Sequence, residues 1–296
     1  MPKYKQGYRL EICCCSPVLF RLLLIFASIN VDFLAGGFYL DYEKFKAEVF
    51  SLSGINLGYY KEKQMKRRIE SLIAKNGYDG YDSFLKAIKN NSRLFEEFIN
   101  YLTINVSEFY RNPEQWETLE KDILPLLFQK NKKLKIWSSA CSTGDEPYTL
   151  AMVLSKYLPL PSIKILATDI DKSALEKAKT GVYHPKSMEK LPKEFIDKYF
   201  IYRNQMYEIK QEIKSCVEFG RLNLLSDKYP DECDLIVCRN VLIYFTEDAK
   251  DMIYHKFHGS LREYGVLFVG STEQIISSAR YGFKPLRTFF YIKEGQ

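Results

Sequence analysis

The fold is decided by the stretch Trp137-Ser-Ser-Ala-Cys-Ser-Thr-Gly-Asp-Glu-Pro-Tyr148, in which a short apolar run leads through a turn of small residues into a helix. Further short apolar runs follow, and segments with a helical pattern separate them. The runs that we interpret as buried strands are Leu134–Ala140, Ile163–Thr168, Val217–Phe219, Asp234–Cys238 and Val266–Val269. The helix candidates between them are Pro147–Leu158, Ser173–Thr180 and Glu247–Glu263. This alternation predicts an α/β fold with a parallel, doubly wound, Rossmann-like sheet.

Two further regions precede or interrupt this alternation. Apolar residues recur with a helical period from 41 to about 130, which predicts a small all-α N-terminal domain and linker ahead of an α/β domain at 131–296. Within the α/β domain the alternation breaks at about 184–216, where a polar helical run and a hairpin pattern predict a small inserted antiparallel β-subdomain. The segment from Phe283 to Ile292 is expected to end the sheet with antiparallel strands.

Residues 1–40 do not fit this organisation. Their apolar core, Leu22–Ile29, is much shorter than the ~20 residues that a membrane-spanning helix needs, so we expect no stable membrane insertion. Gly36-Gly37 can be encoded by a ribosome-binding sequence, and Leu40 can be encoded by TTG, which also serves as a start codon. We therefore expect residues 1–40 to be a non-native extension that packs poorly, and the remainder to be cytoplasmic.

The composition argues against several classes of protein. The net charge of +6 over 296 residues is too mild to indicate nucleic-acid binding. The seven cysteines include no Cys-x-x-Cys pair, so buried free thiols are expected rather than a zinc or redox site. Asp251, His255 and His258 share one face of a predicted helix and are a candidate metal site, but an Asp–His pair on a surface helix is the preferred interpretation, and no metal is expected.

A ligand site is expected where the strands end, because doubly wound sheets bind ligands at the carboxyl ends of their strands. The turn after the first strand contains only Gly144, so the dinucleotide fingerprint fails, and a ligand without phosphate, such as S-adenosylmethionine, suits it better. Asp169 closes the second strand, where an acidic residue can accept both ribose hydroxyls. A helix cap is the alternative, and that role fits Asp171 better. Glu146 lies near a helix start, where the helix dipole favours an anion in any case.

Four motifs give this pattern a family. The segments Asn105-Val-Ser-Glu-Phe-Tyr-Arg111, Ser142-Thr-Gly-Asp-Glu-Pro-Tyr148, Ala167-Thr-Asp-Ile-Asp171 and Cys238-Arg-Asn-Val-Leu-Ile-Tyr-Phe245 resemble those of the CheR family. Members of that family are S-adenosylmethionine-dependent methyltransferases that esterify glutamates on bacterial chemoreceptors. The resemblance runs from about Tyr42 to the C-terminus and implies a class I methyltransferase sheet.

The resemblance also implies roles for individual residues. Those expected to contact S-adenosylmethionine are Asn105, Ser107, Arg111, Glu146, Asp169, Asn223, Leu224, Arg239 and Asn240. Tyr244 corresponds to a family tyrosine close to the transferred methyl group, with simple core packing as the alternative. Ser107 stands where threonine is commoner, and Asp145 replaces a glutamate; neither change removes a group that the chemistry needs. Gly270-Ser-Thr-Glu273 is a variant of the family's Gly-x-Ser-Glu ending.

The expected reaction is attack by a receptor glutamate on the sulfonium methyl group, giving a glutamate methyl ester and S-adenosylhomocysteine. A free glutamate has a pKa of about 4.3, so it is already ionised and needs no general base. Arg111 is expected to orient the carboxylate or the cofactor, because its planar fork matches a carboxylate. A nucleic-acid methyltransferase and a cofactor-binding adaptor are the rivals. The mild charge argues against the first, and the presence of both Arg111 and Tyr244 against the second.

Two segments bear on the receptor partner. A locally basic helix carries Lys61, Lys63, Lys66, Arg67 and Arg68, which predicts docking on acidic receptor helices, as the family's N-terminal domain does. A solvated helix face is the alternative. Family members that bind a C-terminal receptor pentapeptide have a glycine-containing insertion in the hairpin, and no glycine occurs between Val182 and Glu218. We therefore expect an enzyme that does not use this tether.

Overall fold

The computed structural model describes residues 42–295, which fall into two compact units divided after Ile55. The expected non-native extension, residues 1–40, lies outside the described residues. In the first unit the described part is a helix at 42–53, here α1. Phe45 and Val49 are one helical turn apart on this helix, and both are fully buried.

The second unit begins with three helices, namely α2 (Glu62–Lys75), α3 (Tyr81–Asn90) and α4 (Ser92–Thr103). Each is amphipathic: on α2, for example, Met65, Ile69 and Leu72 form one buried stripe. The side chain of Asn91 caps α4 by accepting a hydrogen bond from the backbone N–H of Leu94. These helices carry the all-α character that the sequence predicted.

A longer helical segment leads into the sheet. It consists of α5 (Pro113–Thr118), a π turn (Leu119–Ile123) and α6 (Leu124–Lys130). Pro113 occupies the first turn of α5, where its missing N–H costs no hydrogen bond.

The sheet has seven strands in the order β6-β2-β1-β7-β8-β10-β9. They are β1 (Ile136–Ser138), β2 (Ile165–Asp169), β6 (Val217–Arg221), β7 (Cys233–Cys238), β8 (Leu261–Val269), β9 (Phe283–Arg287) and β10 (Phe290–Lys293). The first five strands in this order pair in parallel, and β10 pairs antiparallel with both β8 and β9. The predicted fold class is confirmed, including the antiparallel ending.

Helices cover both faces of this sheet. The helices that follow strands are α7 (Asp145–Leu154), α8 (Lys172–Thr180) and α11 (Glu247–Ser260). The prediction for the last helix was wrong at its end, because residues 261–263 already belong to β8. Neighbouring residues of β1 point to opposite faces and both are buried: Ile136 joins the core around α7, and Trp137 joins the core around α11.

The inserted subdomain is a three-stranded antiparallel sheet in the order β3-β5-β4. Its strands are β3 (Val182–Tyr183), β4 (Phe200–Arg203) and β5 (Met206–Ile209), with two short helices, α9 (Lys193–Tyr199) and α10 (Gln211–Lys214). Asn204 and Gln205 make a two-residue hairpin turn with φ of 49° and 59°, so the turn takes left-handed residues without a glycine. From residue 42 to residue 295, no helix is long and apolar enough to cross a membrane.

Candidate active site

A cleft lies at the carboxyl ends of β1, β2 and β7. From β1 the chain runs outward through β2 to β6, and it then returns to place β7 on the other side of β1. The strand order therefore reverses at β1, where such sheets bind ligands. Two adjoining cavities form the cleft, with about 570 Å³ and about 540 Å³ of empty space, part of it open to solvent. Their walls share Thr103, Ala140, Asp169, Val241 and Tyr244.

The first cavity is polar, and most of the predicted site residues line it. These are Asn105, Ser107, Arg111, Glu146, Asp169, Arg239, Asn240 and Tyr244. The second cavity is mainly apolar, with walls that include Ile170, Leu222 and Phe245, and it contains the two remaining predicted residues, Asn223 and Leu224. All ten residues that the sequence singled out therefore meet at one cleft.

Asp169 is the last residue of β2 and lies between the two cavities. One carboxylate oxygen accepts a hydrogen bond from the N–H of Ser142 at 2.8 Å, and the other accepts from the N–H of Asp171 at 3.0 Å. Burial raises the pKa of Asp169 to about 6. Asp171 caps α8 by accepting from the N–H groups of Ser173 and Ala174, so the sequence assigned the two acids correctly between strand end and cap.

Glu146, in the first turn of α7, forms the charged wall of the polar cavity with Arg239. Its carboxylate accepts a hydrogen bond from the Ser138 hydroxyl at 2.8 Å and lies 3.6 Å from a guanidinium nitrogen of Arg239. Burial raises the pKa of the Glu146 carboxyl, although the Arg239 charge opposes the rise. The Nε of Arg239 is buried without a hydrogen-bond partner among the described residues. The Arg239 side chain is only 2% exposed, so this is a costly arrangement for folding alone.

Asn105 and Ser107 hold the connection between α4 and α5 against the sheet. The amide nitrogen of Asn105 donates to Asp171 at 2.5 Å, and its carbonyl oxygen accepts from the Ser142 hydroxyl at 3.1 Å. The Thr103 hydroxyl donates to the same Asp171 carboxylate at 2.8 Å. The Ser107 hydroxyl bonds to the buried carboxylate of Asp145 and lowers its pKa, while burial raises that pKa by more. The amide of Asn105 is thus already engaged within the protein.

Arg111 stands at a strained point of this connection. Its neighbours Tyr110 and Asn112 both have left-handed backbones, with φ of 54° and 58°. The carbonyl of Arg111 accepts hydrogen bonds from Arg239 at 2.7 Å and from the indole of Trp116 at 3.0 Å, which offset the strain. Within the described residues its guanidinium has one hydrogen bond, to the Val106 carbonyl at 3.4 Å. Most of its donors therefore remain available to a ligand.

The loop from Asn240 to Tyr244 is organised by a residue that the sequence did not assign to the site. The buried carboxylate of Glu273 accepts backbone N–H bonds from Asn240 at 2.5 Å, Leu242 at 2.6 Å and Ile243 at 3.3 Å. It also accepts from the N–H of Gly270 at 2.9 Å. The only signal in the sequence was the Gly270-Ser-Thr-Glu273 ending. Tyr244 is partly exposed and lines both cavities, which disfavours the core-packing alternative.

Two sets of residues outside the cleft have partners within the protein. Arg68 is partly exposed, but its guanidinium donates to the Tyr101 carbonyl at 2.5 Å and lies over the Tyr101 ring. Asp251 does not pair with a histidine: it accepts hydrogen bonds from Arg280 and Tyr281. Among the described residues no group of histidine, cysteine, aspartate or glutamate could hold a metal ion.

Comparisons with known proteins show the family of this chain. A model described as the SAM-binding domain of CheR methyltransferase matches residues 105–289, and one described as the all-alpha domain of CheR methyltransferase matches residues 40–103. The chain belongs to the CheR family. Among its relatives in this family is a chemotaxis protein methyltransferase of Listeria monocytogenes, 44% identical over 254 residues that cover 86% of this chain and 97% of the relative. The Borreliella burgdorferi protein of the same name is 36% identical and covers 77% and 85%.

The cleft fits the cofactor of CheR enzymes. An apolar cavity beside Asp169 suits a nucleoside, and the polar cavity offers both signs of charge to the amino-acid end of S-adenosylmethionine. The unpartnered Nε of Arg239 is a buried donor on that polar side. The protein is thus an S-adenosylmethionine-dependent methyltransferase of a chemotaxis family.

Proposed function

We propose that this enzyme methylates glutamate side chains of bacterial chemoreceptors and so serves adaptation in chemotaxis. The observation that carries the proposal is the chemistry of the cleft: Arg111 offers free donors beside Tyr244, and histidine is absent from the described residues that line either cavity. Such a cleft suits an acceptor that is already an anion. The relatives named chemotaxis protein methyltransferase support the choice of chemoreceptors.

Each half of the cleft has a role in this proposal. Asp169 accepts the ribose hydroxyls, while the apolar cavity with Asn223 and Leu224 takes the adenine. Glu146 faces the ammonium group of the cofactor, and Arg239 lies towards the carboxylate of the cofactor. The ionised form of Asp169 is the better acceptor, and its pKa of about 6 leaves it ionised at neutral pH.

The reaction itself needs orientation more than proton transfer. When bound, S-adenosylmethionine supplies a methyl group on a positively charged sulfur. A glutamate oxygen forms the new C–O bond, and the electron pair of the broken C–S bond stays on sulfur, so no proton moves. Arg111 holds the attacking carboxylate, and Tyr244 limits where it can lie. Such positioning is worth up to about 7–11 kcal/mol of the barrier.

The test is methyl transfer to a chemoreceptor cytoplasmic fragment, read as alkali-labile label. We expect Arg111→Ala to lower kcat/KM by about 10²–10³, while Arg203→Ala, an exposed arginine on the hairpin, should leave it unchanged. A receptor fragment with its acceptor glutamates replaced by glutamine should take no label. Full labelling by Arg111→Ala, or alkali-stable label, would contradict the proposal.

Receptor docking is the second part of the proposal. With Arg68 engaged by Tyr101, the exposed cations at the start of α2 are Lys61, which precedes the helix, and Lys63 and Arg67 within it. Lys63 and Arg67 lie one helical turn apart, so they form one basic face suited to acidic receptor helices. The double reversal Lys63→Glu with Arg67→Glu should raise the KM for receptor at low salt and leave the KM for cofactor unchanged.

The matched control carries the same change of charge elsewhere. Lys132 and Lys133 are exposed beyond α6, and reversing both should leave the KM for receptor unchanged. Equal effects of the two double variants would show that only the net charge of the protein matters, and would contradict the proposed docking face.

The hairpin bears on tethering. Asn204 and Gln205 form the whole turn between β4 and β5, which leaves no glycine-containing loop for a peptide. We propose an enzyme that methylates receptors with or without a C-terminal pentapeptide equally well. A measurable affinity for the isolated pentapeptide would overturn this part.

A further inference from the structure

One wall of the apolar cavity comes from far outside the methyltransferase motifs. Tyr60, just before the basic helix α2, lines this cavity together with Asp169, Leu224 and Tyr244. Its ring packs edge-on against Phe245, with ring centroids 4.9 Å apart. An aromatic wall on the side expected to hold a base offers a flat π surface to it.

The backbone around Tyr60 is fixed to the loop that carries Tyr244. The N–H of Lys61 donates to the carbonyl of Tyr244 at 2.9 Å, and the N–H of Thr246 donates to the carbonyl of Tyr59 at 2.8 Å. Tyr60 and Phe245 form an isolated antiparallel β-bridge between these two bonds. The segment Tyr59–Lys61, here called the strap, thus behaves as a very short extra strand beside the 244–246 loop.

We propose that the strap is part of the cofactor site: Tyr60 is a cofactor-binding residue on the adenine side, and Lys61 is a positioning residue whose N–H fixes Tyr244. Neither residue belongs to a motif that matches the cofactor, and the start of α2 would otherwise serve only the receptor. The strap makes the helix proposed to dock the receptor continuous with a wall of the cofactor cleft.

The phenol of Tyr60 is suited to this place. Burial, with the nearby Asp169 charge, raises the pKa of Tyr60 above its ordinary range, so the phenol stays neutral across the working pH. A neutral ring can lie beside the Asp169 carboxylate without adding charge to the cavity. Its contribution is therefore expected from the ring rather than from the hydroxyl.

The first experiment is calorimetry of S-adenosylhomocysteine binding to the full chain, without receptor. We expect Tyr60→Ala to weaken binding by roughly 10- to 100-fold, the range found when an aromatic side chain under a base is removed. Tyr60→Phe should stay within about threefold of wild type, because the ring remains. Tyr202→Ala, which removes a tyrosine that is 60% exposed on the hairpin, is the matched control and should bind normally. Wild-type affinity in Tyr60→Ala would overturn the proposal.

Folding is monitored by thermal melting of each variant. Tyr60→Leu is the second variant, because leucine keeps apolar volume against Phe245 but offers no aromatic surface. It should fold and still bind at least about fivefold more weakly. Normal binding by Tyr60→Leu would show that only volume matters and would also overturn the assignment.

Lys61 allows its backbone bond to be removed without changing the local conformation. Its φ of −58° is one that proline adopts, and Tyr60 before it is extended, with φ of −101° and ψ of 152°, as a residue before proline must be. Lys61→Pro therefore deletes the N–H that Tyr244 accepts, while Lys61→Ala deletes only the side chain. We expect the proline variant alone to lose affinity for S-adenosylhomocysteine, measured without receptor, and equal affinities of the two variants would refute the positioning role.

These readouts separate the inference from the proposed function. Cofactor calorimetry needs no receptor, so a failure of glutamate methylation leaves it intact. Conversely, unaltered cofactor binding in the Tyr60 variants would refute a role of the strap in the cofactor site and would leave the proposed methylation of receptors unaffected.

Discussion

Replacing Glu273 by glutamine tests how the loop that carries Asn240 and Tyr244 is held. In the structure one carboxylate oxygen accepts from the N–H groups of Asn240 and Gly270, and the other from those of Leu242 and Ile243. Glutamine has the same shape but only one carbonyl oxygen. Two backbone N–H groups would therefore face an amide NH₂, which cannot accept from them.

The size of the effect follows from two opposing contributions. Each buried donor left without an acceptor costs about 1–3 kcal/mol, so two of them cost about 2–6 kcal/mol. Burial raises the pKa of Glu273, which means that its charged form is itself disfavoured inside the protein, and glutamine removes that cost. We therefore expect a loss of about 2–4 kcal/mol in the free energy of unfolding, a large part of the 5–15 kcal/mol typical of a domain.

The assay is urea unfolding followed by far-UV circular dichroism at neutral pH, together with S-adenosylhomocysteine calorimetry. Glu263→Gln, an exposed glutamate on β8, is the control and should unfold as wild type does. Cofactor affinity should fall in Glu273→Gln at urea-free, fully folded conditions, because Asn240 and Tyr244 lose their support. A variant within about 0.5 kcal/mol of wild type with normal affinity would refute the reasoning.

Three further predictions concern the same cleft. Because the pKa of Asp169 is raised to about 6, the affinity for S-adenosylhomocysteine should weaken as the pH falls below that value. Calorimetry from pH 5 to pH 7.5 should show this dependence in the wild type and not in Asp169→Asn. An equally steep profile in the variant would assign the titration to another group. Asp171→Ala should lower the free energy of unfolding by about 2–4 kcal/mol, because it removes the cap of α8 and the acceptor of the Thr103 and Asn105 side chains. A loss below about 1 kcal/mol in urea unfolding would contradict this. Gly144→Ala should lower the free energy of unfolding by about 1–3 kcal/mol and reduce cofactor affinity. The backbone φ is 90° at this position, and an added Cβ would lie 2.9 Å from the Ala178 Cβ. Unchanged thermal melting and unchanged affinity would contradict this prediction.

The sequence predicted most of what depends on neighbours along the chain. Strand ends, helix starts and the turn at Gly144 are local features, so Glu146 and Asp169 could be placed at the carboxyl ends of β1 and β2 before any contact was known. The early end of α11 was missed because the residues from Leu261 to Glu263 continue an acceptable helical pattern. The pairing of Leu261 with Cys233 of β7 overrides it.

The residues that sequence reasoning missed act across long separations. Glu273 supports a loop some thirty positions earlier, and Tyr60 reaches a cavity whose other lining residues start at Leu102. Arg68 shares the charge pattern of its neighbours on α2, and only the packing of α4 shows that Tyr101 engages it. No periodicity encodes such contacts, since they depend on how whole elements meet.

Four carboxyl groups in and around the cleft are buried although burial disfavours their charged forms. Burial raises the pKa values of Asp145, Glu146, Asp169 and Glu273, so each carboxylate is less stable in the folded protein than it would be in water. A fold selected for stability alone would replace such groups with apolar residues. Glu273 and Asp145 offset this cost with hydrogen bonds: Glu273 accepts from backbone N–H groups, and Asp145 bonds to the hydroxyl groups of Thr143 and of Ser107 in the linker. Glu146 and Asp169 line the polar cavity, where hydrogen-bond donors of a cationic ligand can offset the unfavourable burial of their carboxylates. Cofactor binding should therefore stabilise this chain more than its contact area alone implies, because it also relieves two buried charges.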